Sequence, residues 1–263
     1  MLRDIRAELT KQARRPASWL LLAVAVVLSL TFGYAVPYAG LSGAAGPPGS
    51  GRGLDALLPG AFVGSALGGL PIFVGALALI FGVLVAGSEY GYGTWKTVLV
   101  QHPSRVAVFT AKLVTVAVGA LAAVLALLAA TAGASALVAS LKDQPLGWPA
   151  ASDVLLGVGA GWLVTTMWGA LGVLLAVGLR SVALPIGLGL VWLLAVQNLL
   201  ASIAAPLLDW VAQLQKALPG PNAASAPGVD AIVGSGQAAV VLGAYLVGFA
   251  VLGGWLLHRR DIA

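Results

Sequence analysis

Residues 106–140 read VAVFTAKLVTVAVGALAAVLALLAATAGASALVAS, thirty-five positions with one charged side chain, Lys112. A helix needs only ~20 apolar residues to cross the ~30 Å hydrocarbon core of a bilayer. Counted from Arg105, a helix here would extend ~54 Å, more than tilting can hide. It must either protrude from the membrane or bend at Gly119 or Gly133. Five further apolar runs lie outward from it, near residues 17–36, 62–87, 153–179, 182–201 and 236–257. Each is long enough for one crossing, and only Leu179-Arg180-Ser181 separates the fourth span from the fifth. The expected fold is an all-α membrane protein with six transmembrane helices in one domain over residues 1–263.

Composition agrees. The chain is 60% hydrophobic and 9% charged, against roughly 25% charged in a soluble domain. It contains no cysteine, which excludes disulfides, thiolate metal sites and cysteine nucleophiles.

The net charge of +5 is explained by topology. If the N-terminus is cytoplasmic, the alternating loops put 11 basic and four acidic residues inside, and three basic and five acidic outside. That asymmetry is the positive-inside pattern. It requires an even number of spans and both termini in the cytoplasm, and membrane lipid, not nucleic acid, is the expected partner of the positive charge. Outside lie a flexible loop rich in Gly, Pro and Ala over residues 37–60, a short loop over 141–152, and residues 202–235. In the last, Pro206 can begin a helix whose stripe of Leu207, Leu208, Val211, Leu214 and Leu218 ends at Pro219-Gly220-Pro221. The expectation is a short amphipathic or partly re-entrant helix, with a disordered loop as the alternative.

In residues 1–16, MLRDIRAELTKQARRP, Leu2, Ile5 and Leu9 share one helical face. Arg3, Arg6, Lys11, Arg14 and Arg15 occupy much of the remainder. This fits an amphipathic helix lying on the membrane interface. A signal peptide is the rival reading, against which Asp4 and Glu8 count; a solvated basic tail is the other.

The spans carry little chemistry. No ionisable residue falls near the centre of a predicted span, and Lys112, about a turn and a half inside, can snorkel to the headgroups. Proton relays and embedded hydrolases need converging carboxylates or histidines, so no catalytic residue, metal or bound cofactor is expected. No Lys follows a Gly, so a phosphate-binding loop is absent, and any ATP would be hydrolysed by a separate chain. Thr165, Thr166, Gln197 and Asn198 could line a pathway or hydrogen-bond between helices. Gly64 with Gly68, and Gly157 with Gly161, have the GxxxG spacing of close helix contacts.

The connection between the second and third spans, GSEYGYGTWKTVLVQHPSR over residues 87–105, is more elaborate than a passive loop. Gly91 and Gly93 can end the incoming helix. Thr94 can cap a short helix over residues 95–101, Pro103 can stop it, and Ser104 can cap the third span. Trp95, Val98 and Leu99 would then project as a docking knob for a soluble partner.

With Glu8, Lys11, Arg14, Arg15 and Pro16 at the start, this connection resembles the permeases of type-2 ABC exporters. The matching features are Glu89, Gly93-Thr94, Val98-Leu99, Pro103, Ser104-Arg105, Lys112 and the closing Arg259-Arg260-Asp261. The resemblance implies two permease subunits, the second a copy or paralogue, joined to two ATP-binding cassette subunits that hold the ATP and Mg. It implies ATPase contacts at Glu8, Lys11, Arg14, Glu89, Tyr90, Gly91, Gly93, Thr94, Trp95 and Lys96. It also implies export of a drug, peptide, lipid or glycan across a bacterial plasma membrane. The alternatives are a secondary transporter or channel, and a non-transport scaffold or immunity protein.

Overall fold

Pro16 shapes the first corner of the chain. The residue before a proline is driven out of the helical region, and Arg15 is extended (φ −86°, ψ 123°). An amphipathic helix α1 (Leu2–Ala13) therefore stops, and the first long helix α2 (Pro16–Gly40) starts with proline at its first position, where the missing N–H costs nothing. The computed structural model describes residues 2–41, 53–93, 104–200, 210, 216–224 and 235–259. Among these, every regular element is helical.

The chain continues through α3 (Pro59–Gly91), α4 (Arg105–Leu141), α5 (Ala151–Leu179), the shorter α6 (Ala183–Val196), α7 (Pro219–Ala223) and α8 (Ser235–Arg259). Five of these, α2, α3, α4, α5 and α8, are long and apolar enough to cross a membrane. The sixth expected span is represented by α6 and its extension Gln197–Leu199. That run rises about 25 Å, short of a ~30 Å core, and residues 201–209 beyond it lie outside the described ones. So do residues 94–103, with Thr94, Trp95, Lys96, Val98, Leu99 and Pro103, most of 202–218, and Arg260-Asp261.

Local breaks have local causes. Thr31–Ala35 of α2 forms a π-helical turn just ahead of Pro37; the proline ring cannot donate to, and collides with, the carbonyl four residues back. A wider turn relieves that conflict. In α3 a second π turn, Leu70–Val74, contains Pro71, and the Val74 amide reaches back to the Gly69 carbonyl at 3.0 Å. By contrast, α4 runs 37 residues without interruption at Gly119 or Gly133, about 55 Å of helix. Of the two ways to place that length, protrusion is the one its regular hydrogen bonding supports.

The core is built around α5, which packs against α3, α4, α6 and α8. Its residues from Val164 to Val173 are almost all buried, and Trp168, Met167 and Val173 are completely so. A helix apolar all round belongs inside a bundle. Helices α2 and α8 instead expose Trp19, Leu20, Val27 and Phe32, and Val240, Val247, Val251 and Trp255. In water that surface would be untenable; in a bilayer it is the ordinary outer wall.

Pro219, expected from the sequence to stop a helix, starts one. Leu218 is extended and Pro219 occupies the first position of α7, the same N-terminal preference seen at Pro16. The segment is buried at Pro219, Asn222 and Ala223 and packs against α8 and the π turn of α3.

Candidate functional site

The end of the bundle that carries the N-terminus also gathers the end of α3, the start of α4, the α5–α6 turn and the end of α8. Arg105 Nη1 donates to the Leu257 carbonyl at 3.3 Å, and Gly87 lies against the Ser181 carbonyl. At this end α1 lies across α4, and its charged stripe faces the bundle together with the half-buried Ile5 and Leu9. Leu2 is 84% exposed, whereas Glu8, Lys11, Gln12 and Arg15 are buried or half-buried.

The stripe meets two buried charges. Glu89, 1% exposed, sits in the last turns of α3, and Lys112, 0% exposed, in the second turn of α4. Glu89 Oε1 accepts from Lys11 Nζ at 2.7 Å and lies 2.8 Å from Lys112 Nζ. Lys112 also donates to Glu8 Oε1 at 3.3 Å and to the Val85 carbonyl at 3.1 Å. Its three ammonium protons thus find three acceptors. Lys11 and Glu8 close the ring at 3.5 Å. Two lysines and two glutamates cancel, which is the condition under which charges can be buried. Arg15 extends the cluster, donating to Ser88 Oγ at 2.9 Å and the Leu84 carbonyl at 3.3 Å. The arrangement clamps α1, α3 and α4 together at one end.

Lys112 was expected to snorkel to headgroups; it does not. Glu8, Glu89 and the Val85 carbonyl surround its ammonium, so its charge is satisfied inside the protein. Lys11 and Arg15 turn inward for the same reason: Glu89 accepts from Lys11, and Ser88 Oγ and the Leu84 carbonyl accept from Arg15. Gly93 adopts φ +65°, a left-handed conformation that glycine tolerates best, and it ends α3 two residues after Gly91. Ser104 Oγ accepts from the Ala107 amide at 3.3 Å, capping α4.

Of the residues singled out from the sequence, the structure brings Glu8, Lys11 and Glu89 together. Tyr90 is half-buried against the core, while Arg14, Gly91 and Gly93 are exposed at the same end. Thr94, Trp95 and Lys96 lie outside the described residues. Thr165 and Thr166 are elsewhere, on α5. Thr165 Oγ1 donates to the Gly161 carbonyl of its own helix at 2.7 Å, and Thr166 Oγ1 is buried without a partner among the described residues. Gln197 Oε1 accepts from the Gly220 amide at 2.7 Å, tying α6 to α7; the side chain of Asn198 lies outside the described part.

Sequence reading missed the inward role of Gln12 and Arg15. The signal was available: Glu8, Lys11, Gln12 and Arg15 follow one another at three- and four-residue spacing, a second face beside the apolar one.

A sequence model of a family described as ABC-2 family transporter protein matches residues 4–196. That stretch includes α1, the charge cluster and the four helices from α2 to α5. No curated protein matches the chain.

Proposed function

The chain belongs to the ABC-2 family of transporter proteins, and from that premise we propose that it is the membrane-spanning permease subunit of an ATP-driven exporter. It crosses the plasma membrane six times with both termini in the cytoplasm. Two such subunits, copies or paralogues, form the translocation path and are driven by two ATP-binding cassette subunits that hold the ATP and Mg.

The observation that carries this reading is the buried four-charge cluster. It binds α1, α3 and α4 into one rigid end, and residues 94–103 connect α3 to α4 at that same end. A force applied to that connection by a closing ATPase would reach three helices at once instead of dissipating in a loop. Packed, bistable interfaces amplify such local pushes into rigid-body motion. In this reading Trp95 is the docking residue, and Glu89 and Lys112 anchor the two helices that its connection joins.

The test is co-purification. The tagged chain, expressed with an ATP-binding cassette subunit from its own gene neighbourhood, should retain that subunit. Trp95→Ala should reduce the retained amount about tenfold, the loss of ~1.4 kcal/mol expected of an aromatic hot spot, while the chain still inserts. Export by the chain alone, with no such subunit bound, overturns the proposal.

Orientation has its own check. The chain has no native cysteine, so introduced ones label without background. Lys216→Cys, exposed beside α7, should react with an impermeant maleimide added to intact cells. Tyr92→Cys, in the turn after α3 and 77% exposed, should react only after permeabilisation. The opposite pattern would reverse the topology.

A further inference from the structure

Beneath α1 the bundle leaves a groove of about 230 Å³. Leu22 of α2, Phe81 of α3, and Val118 and Ala123 of α4 line its walls, and Gln12 of α1 forms its lid. Gly119 lets the Phe81 ring pack directly against α4, where any larger side chain would collide with it. Apolar cavities of about 150 Å³ stay dry and take up apolar molecules, so a larger one facing hydrocarbon will not hold water.

Gln12, Ser18, Thr115 and Thr165 interrupt the apolar lining, and both threonines donate to carbonyls of their own helices. Gln12 is 5% exposed, and its Oε1 accepts from Ser18 Oγ at 3.3 Å. Its Nε2 is buried with no partner among the described residues. A buried, unmatched amide donor at the mouth of an apolar groove costs about 1–3 kcal/mol unless something accepts from it. Next to Ala13, which lines the groove, Arg14 is exposed. The flank of the groove exposes Trp19, Val118, Leu121 and Leu125, so it opens sideways toward the membrane.

We infer that this groove is a binding site for one anionic membrane phospholipid. An acyl chain fills the groove between α2, α3 and α4, the ester carbonyl accepts from Gln12 Nε2, and the phosphate lies beside Arg14. Three levels of the site match three parts of one molecule: hydrocarbon, ester and negative headgroup. An acyl chain suits a narrow slot between helices, and the placement at the N-terminal end of the bundle matches the level at which headgroups meet the interfacial helix. The lipid would be a structural wedge holding α1 on the bundle, and the inference does not depend on ATP-driven export.

The test uses the full chain in vesicles of phosphatidylcholine and phosphatidylglycerol. A trace of phosphatidylglycerol carries a diazirine midway along one acyl chain, and cross-linked peptides are mapped after illumination. Labelling of groove peptides of α2 and α4 should exceed that of the exposed face of α8 by about tenfold. Ala123→Trp, which fills the slot, should bring the groove down to the α8 level. Gln12→Leu, of similar size, should lower groove labelling roughly threefold or more, the worth of one hydrogen bond. A dialkyl-ether version of the probe should lose the same factor on the unsubstituted chain and nothing further on Gln12→Leu. Equal labelling of the groove and α8 overturns the proposal, as does labelling indifferent to both substitutions.

Discussion

Glu89→Leu is expected to cost the folded protein about 3–5 kcal/mol, the range for stripping one partner from a buried ion pair. The reason is that one oxygen serves two cations. Glu89 Oε1 faces Lys11 Nζ at 2.7 Å and Lys112 Nζ at 2.8 Å, and Lys112 is fully buried. With the carboxylate gone, Lys112 loses its shortest ion pair and is left to Glu8 at 3.3 Å and the Val85 carbonyl at 3.1 Å. Lys112→Met should cost less, because Glu89 retains Lys11. Lys11→Met should cost least, since its side chain is 31% exposed and water already screens that pair. The double variant Glu89→Leu with Lys112→Met should recover most of the loss, because an apolar pair of similar volume replaces a buried ion pair at little cost. Thermal midpoints of the detergent-solubilised protein give this order directly. A Glu89→Leu protein as stable as the unsubstituted chain, or a double variant worse than both singles, would show that the cluster does not hold these helices.

This ranking also shows how far the sequence could be read. The spans were legible because lipid demands long apolar runs and leaves no other way to satisfy their backbones. The caps at Ser104 and Gly93 were legible too, because they act locally, through groups a few residues away. The cluster was legible only in halves. Glu89 was recognisable as an acid at a helix end, and the N-terminal helix as a source of bases. Lys112 was assigned to the headgroups, because a lone lysine near a helix end usually extends toward water. What turned it inward was Glu8, 104 residues away in the chain, and no periodicity reports a contact of that range. No reading marked the π turn at Leu70–Val74, and Pro219 was read only as a stop although it also begins α7. Proline can break, widen or begin a helix, and the choice rests on the tertiary surroundings.

Gly172→Ala and Gly82→Ala should be the most damaging single-methyl additions in the chain. Spacing drew attention to Gly157 and Gly161, yet the closest backbone approach lies about two to three turns further along. A Cβ on Gly82 would overlap the Gly169 carbonyl oxygen, and one on Gly172 would overlap the Leu79 carbonyl oxygen and stand 2.9 Å from the Val83 amide nitrogen. These are main-chain atoms, which cannot rotate away, so α3 and α5 must separate. Overpacking of this kind costs about 1–3 kcal/mol or more, and here it falls on the interface that joins the charge-bearing helix to the centre of the bundle. Gly157→Ala should be milder, since it meets Val63 side-chain atoms that can shift, and Gly187→Ala, facing open space, should be neutral or stabilising by up to about 1 kcal/mol through helix propensity. The yield of monodisperse protein and its thermal midpoint should therefore fall in the order Gly187→Ala, Gly157→Ala, then Gly172→Ala and Gly82→Ala. If α3 and α5 tolerated a methyl group at Gly172 as easily as α6 does at Gly187, they could not be in backbone contact. The lever from Glu89 to the core would then have no fulcrum.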